Sequence, residues 1–320
     1  MAYVRGVVCT VKVAVYLSGL PKKSKNEFKK MILNAWCTGV QQCGDQVVQV
    51  EDNRIVNCDL AVIQGYVHEH GKQAPHLQIR RNAIVHQKTQ GKHALIIDSN
   101  LYQFLDITDI NKYLRYSING IFPNDAWYFE KNMDMGRWKV IKKDYGFEER
   151  NYSNKEDGPI LICLQRNGGW SMGGIPSQQW ITKTIAHIRR TTTRPIVVRG
   201  HPGDKKTLDL LQVDMFAQVT KQTPDEIPLH KQLARSWCTV TYNSSPGVAS
   251  LLYGTPVFVT DPVPAHSQCF PICNTDLNKI ESPNAYDRTD WYHKLAQFHW
   301  TTEEVRSGQA WRFMRDRLPT

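Results

Sequence analysis

The sequence predicts an α/β protein built from two doubly wound domains. Three observations lead there. Short β-branched runs alternate with amphipathic helical stretches along most of the chain. At 320 residues the chain is long enough for two hydrophobic cores. A polar, charged stretch closed by Gly158 and Pro159 divides it near the middle and reads as a linker.

The first half opens with one or two strands between Val4 and Val15. A basic stretch from Lys22 to Lys30 leads into a helix with Phe28, Met31, Ile32 and Trp36 at helical spacing. The basic stretch reads as a solvated face or as a nucleic-acid contact. Strands follow at 47–50 and 60–64. The second ends in a glycine-bounded loop, 65–71, that bunches His68, Glu69 and His70. His76, Arg80 and Arg81 fall on the next helix. Ala94 to Asp98 is a buried strand ending in a carboxylate, which fits either a helix cap or a catalytic base. Tyr113 to Pro123 is aromatic and broken by glycine. Trp127, Tyr128 and Trp138 suit core packing, or stacking on a sugar or a base.

The second half repeats strand, loop and helix. Ile160 to Leu164 runs into Gln165, Arg166, Asn167 and Gly168, in a loop with four glycines that lets backbone approach a ligand. The spacing is not that of a Walker loop or a dinucleotide fingerprint. Ile196 to Val198 ends in Arg199, Gly200, His201 and Pro202. Ligands bind at the carboxyl ends of parallel strands, so Arg199 and His201 are placed to grip phosphate. Cys238 to Tyr242 leads to Asn243, Ser244 and Ser245, then Pro246 and Gly247 at a helix start. Two readings stand: helix capping, or a serine cradle for phosphate beside free backbone N–H groups. Asp261 and His266 follow the strand 257–259 in a fourth loop at the same edge. Thr301 to Glu304 opens the last helices with a capping-box pattern.

Two segments, Val197-Val-Arg-Gly-His-Pro202 and Asn243-Ser-Ser-Pro-Gly-Val-Ala-Ser-Leu-Leu-Tyr-Gly-Thr-Pro-Val257, carry a resemblance to the donor domain of GT-B glycosyltransferases, nearest the capsular-polysaccharide type. The whole chain also resembles glycosyltransferase-like proteins of tailed phages, through 61–70, 165–172 and 300–308. The resemblance implies two Rossmann-like domains facing across a cleft, with C-terminal helices packing back on the first. The expected division is 1–155 for the acceptor domain, 156–290 for the donor domain and 291–320 for the crossing helices. It implies sugar transfer from a nucleotide sugar, a UDP-sugar first, with no bound cofactor and no metal. Arg166, Asn167, Gly168, Arg199, His201, Ser244, Ser245 and Gly247 would hold the donor. His68, Glu69 or Asp98 would act as base. Many such helices carry a glutamate for the donor ribose; the matching position here is Ala249.

Composition bounds the rest. With 41% hydrophobic residues and mean hydropathy −0.46, the chain is a globular protein without an expected membrane insertion. No secretory signal pattern is visible, and the eight cysteines are scattered without a CxxC pair. That reads as reduced thiols in a cytoplasmic protein, in the host cell if phage-encoded. The net charge of +10 favours a polyanionic partner. Charge and the phage likeness together make double-stranded DNA with a hydroxymethylated base the preferred acceptor, flipped out to be reached. The alternatives are a surface or capsular glycan acceptor, a nucleotide-sugar epimerase, and a non-enzymatic DNA-binding protein.

Overall fold

The computed structural model describes residues 10–21, 26–67, 74–126, 133–153 and 155–318. Two sheets organise them. The first holds six strands in the order β2(Gln46–Val50), β1(Lys12–Tyr16), β3(Leu60–Gln64), β4(His93–Asp98), β5(Leu114–Ile118), β11(His299–Trp300). β1 to β4 are parallel; β5 runs antiparallel to β4, and β11 antiparallel to β5. The inner strands are near-continuous apolar runs because helices cover both faces.

On one face α1(Glu27–Gln42) buries Ile32, Leu33, Trp36 and Val40 against Val13, Val62 and Leu95. Phe28 and Met31, expected on the same stripe, point outward and are partly exposed. On the other face α2(Pro75–Thr89) packs Ile79 and Ala83 against Ala14 and Ile63. α3(Arg137–Tyr145) lies beyond β5 and ends at Gly146 in the left-handed conformation.

The second sheet has five strands, all parallel, in the order β10(Val257–Val259), β9(Cys238–Thr241), β6(Ile160–Cys163), β7(Ile196–Arg199), β8(Val219–Gln222). Its helices are α4(Ser177–Arg189), α5(Lys205–Leu210), α6(Leu229–Leu233) and α7(Pro246–Leu252). α4 carries Trp180, Ile181, Ile185 and Ile188 at helical spacing into the core formed by β6, β7 and β9. α5 is short because Leu211 leaves it in extended conformation. β8, an edge strand of mixed polarity, has no apolar run to announce it.

The tail returns to the first sheet. The residues from Thr289 onward form α8(Thr289–Ala296), the two-residue β11, α9(Thr302–Arg306) and α10(Gln309–Arg315). Thr301 and Glu304 form the expected capping box. Trp311 packs edge-on to Trp36 and donates to Asp45 Oδ2 at 2.7 Å. The fold is therefore two α/β layers, the first on a mostly parallel sheet with two antiparallel strands at one edge and the second on an all-parallel sheet, with C-terminal helices packed back on the first, as the sequence predicts.

An aromatic core joins the halves. Trp138 stacks on Tyr292 at 4.8 Å and on Tyr102 at 5.5 Å, in one cluster with Val248, Leu251 and Val259. Trp138 is thus a core residue, not a stacking platform for ligand. Trp127 and Tyr128 lie outside the described residues, as do His68 and Glu69. The start of the expected linker is packed down: Arg288 lies over the Tyr152 ring at 4.3 Å, and Ser153 N donates to Gly254 O.

Candidate functional site

The carboxyl ends of β6, β7, β9 and β10 share one edge, and their loops meet there. Gln165 follows β6 and Asn243 follows β9, on neighbouring strands. Gln165 Nε2 donates to Asn243 Oδ1 at 3.0 Å, and Asn243 N donates back to Gln165 Oε1 at 3.1 Å. Asn243 Nδ2 also donates to Ser171 O at 2.8 Å and to Asp261 Oδ2 at 2.7 Å. Asp261 Oδ2 lies 3.3 Å from His266 Nδ1, and Asp261 Oδ1 accepts from Val263 N. A buried polar line thus runs across three loops to His266. Buried polar groups persist only when paired, so this line fixes the loop positions.

The β6 and β7 loops interlock beside it. Asn167 N donates to Asp204 Oδ2 at 2.9 Å, and Asn167 Oδ1 accepts from Ser177 N at 2.9 Å. Asp204 in turn caps α5 through Thr207. Gly203 lies against both side chains: a Cβ there would lie 2.7 Å from Arg166 Nη2 and 3.2 Å from His201 Cε1. The guanidinium of Arg166 therefore lies over Gly203, next to the His201 ring. Gly168, at φ +62, makes the turn that exposes Arg166.

His201 accepts from Gly203 N at its Nδ1, 2.9 Å away, which leaves Nε2 as an N–H donor. Burial and then the Arg166 charge lower its pKa, with Asp204 pulling the other way. The sequence pattern suggests a cation at this position. The structure favours a neutral ring that offers a hydrogen bond.

Arg199 differs from expectation more sharply. Its Nη1 donates to Ile227 O and Gln232 Oε1, both at 2.7 Å, and its Nη2 to Pro224 O at 3.3 Å. The side chain is buried and turned away from the loops toward residues 224–232. It braces that segment and does not reach the edge where a phosphate would sit.

The serines do not cap α7. Ser245 is the N-cap residue, yet its side chain makes no capping bond, and Ser244 Oγ is buried without a partner among the described residues. Gly247 faces inward; a Cβ there would meet Cys269 Sγ at 2.7 Å, so its small size serves packing. Ser244 adjoins Asn243, and Arg166 adjoins Gln165. The amide pair thus places the serine loop and the Arg166–His201 loop side by side.

The first sheet presents its own carboxyl edge. Asp98 Oδ1 accepts from Ser99 N at 2.6 Å and Oδ2 from Tyr66 N at 3.2 Å, with Arg115 Nη2 3.7 Å away. Its carboxylate holds the β3 loop and Arg115, and no α-helix follows β4 before β5 for it to cap. Beyond β5 the chain folds back over the sheet: Ile121 packs with Ile63 and Ile96, and Phe122 reaches Tyr66 at 6.2 Å. Phe122 also contacts the His266 ring of the other half at 6.1 Å, and Gln268 donates to Ile121 O. Asp125 sits in this return loop and accepts from Phe122 N at 2.9 Å. Desolvation pushes its pKa up, against the backbone bonds and the His266 and Arg115 charges. Gln165 and Asn243, which tie the loops together, and Asp125, in the return loop, are residues that sequence reasoning does not single out. The one signal in the sequence is an amide within two residues of two strand ends. Among the described residues no three metal-ligating side chains are grouped, and no helix is long and apolar enough to cross a membrane.

No protein-family model and no curated protein sequence matches the chain. Solved structures do. The chain is similar to Thermosulfurimonas dismutans KpsC, beta Kdo 2,4 transferase, with TM-score 0.53, 13% identity, and 89% of this chain and 90% of that one covered. It is similar to Thermosulfurimonas dismutans KpsC, beta Kdo 2,7 transferase, with TM-score 0.50, 11% identity, and coverage of 93% and 98%. At these identities the likeness extends to the fold, which is the two-domain Rossmann-like architecture of GT-B glycosyltransferases.

Proposed function

We propose that the protein is a glycosyltransferase that moves a sugar from a nucleotide sugar to a hydroxyl acceptor. The observation that carries this is the joined edge of the second sheet. There the Gln165–Asn243 pair ties the loop that carries Arg166 to the loop that carries Ser244 and Ser245, and Arg166 and His201 both lie against Gly203. The donor phosphate would take the Arg166 charge, the His201 Nε2–H and the uncommitted Ser244 hydroxyl. Such fixed donors stabilise charge that develops on the leaving group. The likeness in fold to the two Kdo transferases supports the same chemistry, with residues 156–290 as the donor domain and 1–155 as the acceptor domain.

Glycosyl transfer needs a base for the acceptor hydroxyl. Asp125 supports that role best among the described residues: it lies near His266 at the meeting of the halves, and its pKa is raised. His68, Glu69 and Asp98 are the rival bases from the sequence. A glycan is the acceptor we favour, given the transferase likeness and a first-domain pocket of about 860 Å³, of monosaccharide to disaccharide scale. A hydroxymethylated base in phage DNA is the second reading, supported by the +10 net charge. Incubation with UDP-, GDP-, TDP- and CMP-sugars, followed by mass spectrometry of oligosaccharide and modified-duplex acceptors, tests both. Sugar added to an oligosaccharide supports the first; addition to DNA alone supports the second; no transfer and no nucleotide release removes both.

A further inference from the structure

The polar line from Gln165 through Asn243 and Asp261 ends on a titratable ring, His266, and not on backbone. Asp261 is closed off from water, with its side chain 6% exposed, and both of its oxygens are engaged. Oδ1 accepts from Val263 N at 2.9 Å. Oδ2 accepts from Asn243 Nδ2 at 2.7 Å and faces His266 Nδ1 at 3.3 Å. The local chain explains why the ring returns to this carboxylate. Asp261 closes a turn on Val263, and one short helical turn, Pro264–His266, follows; Ser267 N donates to Pro264 O at 2.9 Å. Ser267, Gln268 and Cys269 are buried just beyond it, and Gln268 donates to Ile121 O of the other half. The backbone under His266 is thus anchored on both sides, which is what a preorganised group requires.

The orientation has a chemical consequence. With a carboxylate facing Nδ1, the neutral ring carries its proton there and presents an unshared pair on Nε2. The side chain is 39% exposed, so the ring is open to ligand and solvent. It also stands at the meeting of the halves. Its centroid lies 6.1 Å from that of Phe122, and Phe122 N donates to Asp125 Oδ1 at 2.9 Å. His266 therefore has a buried carboxylate behind it and a carboxyl from the other half nearby. A loop clamp would need only the first of these.

We infer that His266 is the final proton acceptor of the transfer, with Asp261 as its positioning residue. The inference rests on the glycosyl-transfer reading and deepens it. As the acceptor oxygen bonds to the anomeric carbon, the bond from that carbon to the donor phosphate breaks and its electron pair leaves with the phosphate. The acceptor proton passes to Asp125 and from there to Nε2 of His266, where Asp261 offsets the new positive charge. The open ring then releases the proton to solvent, and Asp125 is ready for the next turnover.

Two measurements on the full chain test this. The first needs no substrate. Ring-nitrogen NMR shifts of His266, assigned by their loss in His266→Gln, should show the Nδ1–H tautomer of the neutral ring, and Asp261→Asn should raise the Nε2–H form. The second uses the nucleotide sugar and acceptor that give product in the mass-spectrometric screen. His266→Gln should lower kcat by about 10²-fold or more while donor KM and melting temperature are retained. His266→Ala should regain turnover when imidazole is added. Asp125→Asn combined with His266→Gln should lose no more than Asp125→Asn alone, because groups that handle one proton in series are not additive. An Nε2–H tautomer in the wild-type chain, full turnover in His266→Gln, a loss confined to KM, no regain with imidazole, or multiplied losses in the double variant would overturn the inference and leave glycosyl transfer in place. No product from the wild-type chain with any of the nucleotide sugars would remove the transfer reading, and this inference with it, whatever the tautomer.

Discussion

Gln165 and Asn243 hold each other through two hydrogen bonds, of 3.0 and 3.1 Å, across the ends of two adjacent strands. The pair determines where Arg166 and Ser244 sit, because each is the next residue along. Asn243→Ala removes the Oδ1 that accepts from Gln165 Nε2 and the Nδ2 that donates to Ser171 O and Asp261 Oδ2, while the backbone bond to Gln165 Oε1 stays. The expected stability loss is about 1–3 kcal/mol per unsatisfied group. Nucleotide affinity should fall further than stability alone explains, and calorimetry beside thermal unfolding separates the two.

His201 gives a pH signature. Its pKa is lowered in the free protein by burial and Arg166. A bound phosphate would raise it, so binding takes up a proton in the window between the free and bound values. Affinity should therefore rise as pH falls through the bound-state pKa, and level off below the free-state one. For stability the sign is opposite: a depressed histidine pKa costs stability as pH falls below the unfolded value of about 6.5. His201→Asn should flatten the binding profile, measured by nucleotide titration across pH.

Arg199 and Arg166 should behave differently. Arg199→Met leaves Ile227 O and Gln232 without their donor and should lower stability by about 1–3 kcal/mol. Exposed Arg166→Met should leave the melting temperature unchanged and weaken nucleotide binding by about tenfold. Equal loss of affinity in both, with Arg199→Met stably folded, would contradict the assignment.

Asp125→Asn tests the base. Loss of a general base lowers turnover by about 10²–10⁴-fold. The expected outcome is that loss in kcat with donor KM retained. The same loss in His68→Ala or Glu69→Ala, with Asp125→Asn active, would return the role to the 65–71 loop.

Much of the fold is legible because the inner strands are buried on both faces and read as apolar runs, such as Ala61 to Ile63 and Ile160 to Ile162. β11 is not legible. His299 and Trp300 carry no strand pattern, and their pairing to β5 comes from the tail docking through Trp311 on Trp36. The site is legible by edge and not by side chain. Strand-end position puts Arg199 and His201 at the right height. Only the contact with 224–232 shows that Arg199 turns away, and only the fold-back of Ile121 brings Asp125 within reach of the His266 charge. Trp311→Ala, which empties the tail's docking contact, should cost about 3–5 kcal/mol in chemical unfolding.

The most direct measurement is amide hydrogen exchange with and without nucleotide. Protection on adding a nucleoside mono- or diphosphate should concentrate in residues 165–168, 201–204 and 243–247 together. Protection confined to one of these loops or lying only elsewhere, or none at saturating nucleotide, would contradict a donor site at the carboxyl edge of the second sheet.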